Sequence, residues 1–134
     1  MADDTCVALQ SEINDIFDKE LKKPVIEQIK KTIEPLVNKA KGFTFDDNCK
    51  DGWLLTATVV ELTVDDPKNP TTIGLSVVIR AVPHATSTKG FNAKGKTKVP
   101  DIRANKMEKE VTSIVASVFT DVMTKQVIPQ LLKS

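Results

Sequence analysis

Two apolar segments on either side of a proline-containing turn constrain the fold of this chain most strongly. The first, "WLLTATVVELTV", is Trp53–Val64, and its β-branched and apolar residues are typical of a strand in the interior of a sheet. The second, "TIGLSVVIRAV", alternates, with apolar residues at 73, 75, 77, 79 and 81 on one side and Gly74, Ser76 and Arg80 on the other. The two segments predict consecutive strands joined through the turn "DDPKNP".

Helical periodicity is present on both sides of these strands. Apolar residues recur every three or four positions over residues 5–22, which predicts an amphipathic helix. A second helix is predicted over residues 24–40, where Pro35 costs about 3 kcal/mol unless the helix kinks. A long closing helix is predicted over residues 103–133, and Pro129 should bend or end it.

The order of these elements predicts an α+β fold. We expect N-terminal helices, a meandering antiparallel sheet of three to four strands that includes "GFTF" near residue 43, and a long C-terminal helix packed on the sheet. The length of 134 residues is the usual size of one domain and is sufficient for one hydrophobic core. We therefore expect a single domain over residues 1–134.

The segment "GFNAKGKT", residues 90–97, matches the phosphate-binding loop of nucleotide-binding proteins in its two glycines and its Lys-Thr pair. Such a loop needs a strand directly before the first glycine and a helix that begins at the lysine. Here "PHATSTK" separates the segment from the preceding strand, and Pro100 disfavours the helix. The flanking sequence therefore disfavours a nucleotide-binding loop, and we expect no cofactor.

Alternation in the same segment predicts a strand with a lysine face. Small or apolar residues at 91, 93, 95, 97 and 99 alternate with polar ones, so three lysines form a row on the solvent side. One interpretation is that the lysines prevent association of one strand edge with another. The other is an anion-binding surface. Its partner-binding residues would be Lys89, Lys94, Lys96, Lys98 and Arg103.

The composition of the chain narrows the classes of partner. With 19 basic and 18 acidic residues, no overall field attracts the chain to nucleic acid or to an anionic membrane. Arg80 and Arg103 are the only arginines, and one Trp, five Phe and no Tyr offer few platforms for base stacking. Nucleic acid is therefore disfavoured. We expect another protein or an anionic ligand as the partner, with a lipid or apolar small molecule as the alternative.

Two cysteines, Cys6 and Cys49, are enough for one disulfide but not for a four-ligand zinc site. The acidic segment "DDNCKDG", residues 46–52, has part of the spacing of a calcium loop, but Cys49 replaces the third ligand and Thr58 the bidentate Glu. We therefore expect no metal site. A Cys6–Cys49 disulfide is predicted if the protein matures in an oxidising compartment.

The N-terminal sequence leaves the compartment open. "MADDTCVALQ" is acidic where a signal peptide would be basic and then apolar. No uninterrupted apolar run approaches the roughly 18 residues of a membrane span. We expect no transmembrane segment, and either a cytoplasmic protein or an exported one with its leader removed.

Residue types that catalysis would need are scarce. His84 is the only histidine, and neither cysteine has the sequence context of a catalytic nucleophile. We therefore expect no enzyme but a non-catalytic binding or adaptor domain, which contacts its partner through the lysine-faced strand or a sheet edge. The alternative is a carrier of an apolar ligand or lipid in a cavity between the sheet and the helices. That cavity would be lined by Leu55, Ala57, Val59, Ile114 and Val118.

Overall fold

The computed structural model describes residues 4–84 and 89–133, and its described part contains a five-stranded mixed sheet. The strands lie in the order β2-β1-β3-β4-β5, so β2 and β5 are the edges. β3, β4 and β5 pair antiparallel, as predicted, whereas β1 runs parallel to both of its neighbours. The prediction of a purely antiparallel sheet of three or four strands is therefore wrong in strand number and in the direction of β1. The strand bounds are β1 Thr5–Ile13, β2 Phe43–Phe45, β3 Trp53–Val64, β4 Ile73–Pro83 and β5 Phe91–Val99.

The helices pack on one face of this sheet and against each other, in agreement with the predicted α+β class. Short 3₁₀ turns precede α1 and α2 at Lys19–Leu21 and Ala104–Lys106. The helical bounds are α1 Lys22–Lys39, α2 Met107–Val122, a π-helical turn Met123–Val127 and α3 Ile128–Lys133. Apolar side chains from the helices and the sheet form one core, whose largest fully buried members include Phe119, Ile29, Ile33, Leu55, Leu62 and Ile79.

Alternation along the strands divides the sheet into a covered face and an open face. On β3, Leu55, Ala57 and Val59 are fully buried beneath the helices, while the intervening Thr56 and Thr58 are partly exposed. The same alternation continues across β4 and β5 because their pairing is in register with β3. We call the side opposite the helices the open face. It includes Thr56 and Thr58 of β3, Gly74, Ser76, Val78 and Arg80 of β4, and Asn92, Lys94, Lys96 and Lys98 of β5.

The segment predicted as the first helix begins with strand β1, so that prediction is wrong. Val7 is fully buried and Leu9 and Ile13 pack against the core, while Gln10 and Glu12 are exposed, which is the alternation of a strand. The apolar spacing also fits a helix, because Leu9 and Ile13 of the strand continue into Ile16, Phe17 and Leu21 after it at intervals of three and four. Pairing over Val7–Ile13 with Trp53–Val59, far away in sequence, gives the backbone its partners in the sheet.

Pro35 and Pro129 are accommodated without ending the helices in which they lie. α1 continues past the exposed Pro35 to Lys39, close to the predicted end. In the C-terminal helix, the amide of Ile128 donates to the carbonyl of Met123, which is the wider spacing of a π-helical turn. This turn ends two residues before Pro129, whose ring nitrogen cannot donate a helical hydrogen bond. The predicted long helix is therefore present, with its irregularity at the expected place.

The connection between β2 and β3 crosses β1, because Phe45 and Trp53 both pair with Val7 from opposite sides. Cys49 in this connection forms a disulfide with Cys6 on β1, with their Cα atoms 5.7 Å apart. A Cβ atom on Gly52 would lie 1.8 Å from the carbonyl oxygen of Cys6, so the crossing requires glycine here. The loop is therefore covalently fastened to the strand that it crosses.

A carboxylate organises the turn between β3 and β4. Asp65 accepts hydrogen bonds from the amides of Thr71 and Thr72, at 2.9 and 3.0 Å, and from the hydroxyl of Thr71. These hydrogen bonds hold the pKa of Asp65 well below its usual range, and the bond from the Thr71 hydroxyl contributes most to this shift. The "DDPKNP" turn is therefore closed by a side chain at its first position.

Candidate functional site

The strongest concentration of like charge on a described strand lies on β5. Lys94, Lys96 and Lys98 are all exposed on the open face, where they stand opposite Val78, Ser76 and Gly74 of β4. The segment that matches a phosphate-binding loop is thus an extended edge strand, as its alternation predicts. Its lysine side chains project from a sheet and not from the start of a helix, so the geometry of that loop is absent from β5.

Small residues on β4 leave a shallow groove beside these lysines. The groove has a volume of about 620 Å³ and lies between the end of β3, the start of β4 and the end of β5. Gly74 and Ser76 form its floor because their side chains are too short to fill the space beside Lys98 and Lys96. The polar side chains on its walls are Glu61, Thr63, Ser76, Lys96 and Lys98.

This arrangement can bind an anionic group by charge and by hydrogen bonds. Two ammonium groups and two hydroxyls border the groove, while Glu61 contributes one negative charge on the β3 side. Lysine acts as a flexible point charge and not as a planar fork, so the site favours a partner with several separated carboxylates over one that needs bidentate contacts. The groove is open to solvent, so these charges are screened by salt.

The edge of β5 is closed at one point by a side chain from the helical layer. The side-chain amide of Gln126 donates from Nε2 to the carbonyl of Lys94 at 2.7 Å and accepts at Oε1 from the amide of Lys94 at 3.2 Å. This reproduces the two bonds that a neighbouring strand would make. At Gly95, a Cβ atom would lie 2.5 Å from Cγ2 of Val122, so the glycine permits close packing of α2.

The other two residues predicted to bind a partner lie outside the lysine row. Lys89 is exposed in the segment just before β5. Arg103 follows the strand, and its Nε and Nη2 atoms donate to Oε1 of Glu110 at 3.1 and 3.0 Å. The guanidinium of Arg103 is therefore occupied by α2. The structure brings together the three strand lysines but not the full predicted set.

The predicted site did not include several residues of the open face that lie near the lysines. Arg80 on β4 pairs with Asn92, two residues along the strands from the Val78–Lys94 pair and on the same face. Its alternation with Gly74 and Ser76 already indicated the solvent side, but only the register shows that it shares a face with the lysines. Glu61 was missed for the same reason, since it pairs with Ser76 after a bulge in β3.

The five residues predicted to line an apolar cavity are buried in the core. Leu55, Ala57 and Val59 are fully buried on the covered face, and Ile114 and Val118 of α2 are 7% and 8% exposed. Their side chains belong to one cluster of packed apolar residues. A carrier would therefore have to open this core to admit a ligand, and the carrier alternative stays a prediction.

Cys6, Cys49 and His84 have side chains of the types that act in catalysis or bind metal ions. The Sγ atoms of Cys6 and Cys49 lie close to the carboxylate of Asp51, but the two sulfurs are bonded to each other and offer no thiolate for a metal. The disulfide likewise leaves neither thiol free as a nucleophile. His84 lies just after β4 and its amide donates to the carbonyl of Gly52.

The C-terminal helical segment, Ala104–Lys133, passes a test for membrane spans by length and composition alone. Charged residues interrupt its apolar stretches, so the segment is not the continuous apolar run that the sequence was expected to lack. Val111, Val115 and Phe119 from this segment are fully buried against the rest of the protein. The segment therefore serves as a core helix here, and its composition is weak evidence for a membrane span.

No known family model matches the sequence, and no curated protein matches it. Among solved structures, the PelC dodecamer from Paraburkholderia phytofirmans in space group P6 is similar, with a TM-score of 0.62 at 12% identity; the match covers 92% of this chain and 89% of that one. The hypothetical protein CT253 from Chlamydia trachomatis is similar with a TM-score of 0.60 at 9% identity, over 97% and 99% of the two chains. At such identities the likeness establishes a shared fold, and function has to be argued from the site.

Proposed function

We propose that this protein is a non-catalytic binding domain whose β5 lysines contact an acidic surface of a partner protein. The observation that carries the proposal is the row of Lys94, Lys96 and Lys98 on the open face of the sheet, which no helix among residues 4–84 and 89–133 covers. Consecutive side chains on one face of a strand are roughly 7 Å apart, so the three ammonium groups repel one another at low salt. An acidic partner relieves this repulsion and is thereby favoured over a neutral one.

The groove beside the lysines supports a protein partner. It is shallow and open, and its walls are polar, which suits a protruding acidic side chain better than an enclosed small molecule. A solved neighbour of the same fold, PelC, is described as a dodecamer, so a chain of this shape can use its surfaces for contacts between proteins. This likeness supports the class of function only, and the partner is inferred from the charge of the site.

The proposal is tested with a poly-glutamate peptide as the probe. We expect the triple variant Lys94→Gln, Lys96→Gln and Lys98→Gln to bind the labelled peptide at least tenfold more weakly in fluorescence anisotropy. The effect should be larger at low salt, because screened surface charges lose their attraction as salt is added. Thermal stability should change little, since exposed charges contribute only about 0 to 1 kcal/mol each.

A matched control separates local charge from net charge. The variant Lys22→Gln, Lys23→Gln and Lys31→Gln removes the same three charges from exposed positions of α1. We expect it to bind the peptide nearly as well as the unmodified protein. Equal weakening in both triple variants would mean that only net charge matters, and it would contradict the proposed site.

A further inference from the structure

Most of the outer edge of β1 has no neighbouring strand in the described part of the chain. β2 pairs with β1 only over Thr5–Val7, and β1 continues to Ile13. The carbonyl of Val7 accepts a hydrogen bond from the amide of Asp46, which follows β2. Beyond Asp46 the segment that follows β2 leaves this edge and crosses β1. The part of β1 after Val7 therefore extends beyond β2, the strand next to it on this edge.

The direction of the backbone groups along this length follows from the pairs already formed. On the β2 side, the amide of Thr5 donates to the carbonyl of Gly42, and the carbonyl of Val7 accepts from the amide of Asp46. The backbone amides and carbonyls of odd-numbered residues of β1 therefore point outward. By the two-residue period of a strand, the amides and carbonyls of Leu9, Ser11 and Ile13 point outward too. Among the described residues no hydrogen bond to these groups is found on that side. They form a short template for strand pairing.

A groove runs between this edge and α1. Its volume is about 540 Å³, and its base contains Leu9 and Ser11 of β1. Ile26 of α1 borders it with 40% of its surface exposed, although most large apolar side chains of α1 are buried. Apolar surface next to free backbone groups is typical of a place where another strand docks.

The opposite edge of the sheet is guarded and this one is not. On β5, Gln126 occupies the pairing position at Lys94, and charged side chains alternate along the strand. Both devices oppose the addition of a strand. The residues of β1 whose backbone groups point outward, at positions 9, 11 and 13, are neither lysine nor proline. The pairing of β1 with β3 over these residues has no bulge. The contrast identifies the β1 edge as the one available for pairing.

We propose that the outer edge of β1 pairs antiparallel with the same edge of a second copy of this chain, about a two-fold axis at Ser11. In a two-fold contact both copies use the same surface, so the outward amides of one edge must pair with the outward carbonyls of the same edge in the other copy. Centred on Ser11, the register places Leu9 opposite Ile13 of the second copy and Ser11 opposite itself. The three pairs provide about six backbone hydrogen bonds, two for each outward-facing pair.

The charges of the groove favour a second copy over a partner of one sign. Its α1 wall carries Glu27 and Glu34 together with Lys30 and Lys31, and Lys30 is paired with Asp47 at 2.9 Å. A strand of one sign would be repelled by some of these groups, whereas a copy of the same surface offers charges of both signs. Ile26 of each copy then lies beside the new strand pair, where its exposed surface is covered.

A cysteine at the axis tests the register directly. In an outward-facing antiparallel pair the two Cα atoms lie about 5.5 Å apart, within the range that a disulfide spans. We expect Ser11→Cys to give a covalent dimer under mild oxidation, on a non-reducing gel. Asn92→Cys on the guarded β5 edge is the matched control and should stay monomeric on the same gel. Equal cross-linking of both variants would overturn the proposal.

Sedimentation velocity tests the dimer without cross-linking. We expect a species of twice the 14.7 kDa chain mass at high concentration. Ser11→Pro removes the central outward amide and should raise the dimer dissociation constant at least tenfold, while Asn92→Pro on β5 should not. Far-UV circular dichroism checks that both proline variants fold; should Ser11→Pro fail to fold, Ile26→Glu on the groove wall serves in its place, with Leu132→Glu as its control.

Two results would overturn the inference. One is an unmodified protein that stays monomeric over about a hundredfold range of concentration. The other is a dimer that neither Ser11→Pro nor Ile26→Glu weakens, because it would be held by another surface. In the first case, capture of an extended peptide by the β1 edge of the monomer would show that the occupant is not a second copy. None of these outcomes bears on the β5 lysines.

Discussion

Removal of the Cys6–Cys49 disulfide should lower the stability of the fold substantially. The bond joins residues 43 positions apart, and it fastens the loop that crosses β1. The chain-entropy relation for a loop of this size gives about 4 kcal/mol of stabilisation through the unfolded state. For a domain of this length, such a loss lowers the melting temperature by about 10–20 °C. We therefore expect Cys6→Ala with Cys49→Ala to fold but to melt well below the unmodified protein.

The assay is urea unfolding of the oxidised protein, the double variant and the oxidised protein treated with reductant. We expect the last two to unfold at similar, lower urea midpoints, with a steeper dependence on urea because an unlinked chain exposes more surface on unfolding. Midpoints that do not move would refute the entropic reasoning. Two reactive thiols in unfolded, non-reduced protein from its native source would show that the bond does not form there, and would argue against an oxidising compartment.

Two further predictions concern the turn and the core. Because the folded-state pKa of Asp65 is depressed, its contribution to stability is present above the unfolded pKa of about 3.9 and is lost as the pH falls below that value. Asp65→Asn should therefore lower the urea midpoint at pH 7, and the loss should shrink progressively as the pH falls below about 3.9 toward the folded-state pKa, whereas Asp66→Asn, the same charge change next to it, should not show this pattern. Ala57→Phe should destabilise the packed core by about 1–3 kcal/mol in urea unfolding, because Ala57 is fully buried. If the core instead opens for an apolar cargo, mass spectrometry of solvent extracts should detect a bound molecule in the unmodified protein and not in this variant.

The face of the strand on which the three lysines lie was predictable from the sequence, but the residues that surround them were not. Alternation over Phe91–Val99 is a property of the local sequence, and it placed the three lysines together on the solvent side. The groove beside them depends on Gly74 and Ser76 lying opposite Lys98 and Lys96, which is a matter of register between strands. Arg103 was predicted to join the site, but its contact with Glu110 depends on how α2 returns along the sheet.

Local pattern was sufficient for the long elements of this protein, and tertiary pairing decided the short ambiguous one. Trp53–Val64 has the predicted bounds of its strand, and the C-terminal helix lies where its periodicity indicates, because these segments are long and consistent in period. The apolar residues of β1, together with those that follow it as far as Leu21, fit a helix as well as a strand. Its state was decided by pairing with β3 and by burial of Val7 under α1, contacts between residues far apart in the chain. The same long-range pairing brings Cys6 beneath the loop that carries Cys49, and among the described residues it leaves the outer edge of β1 beyond Val7 without a strand.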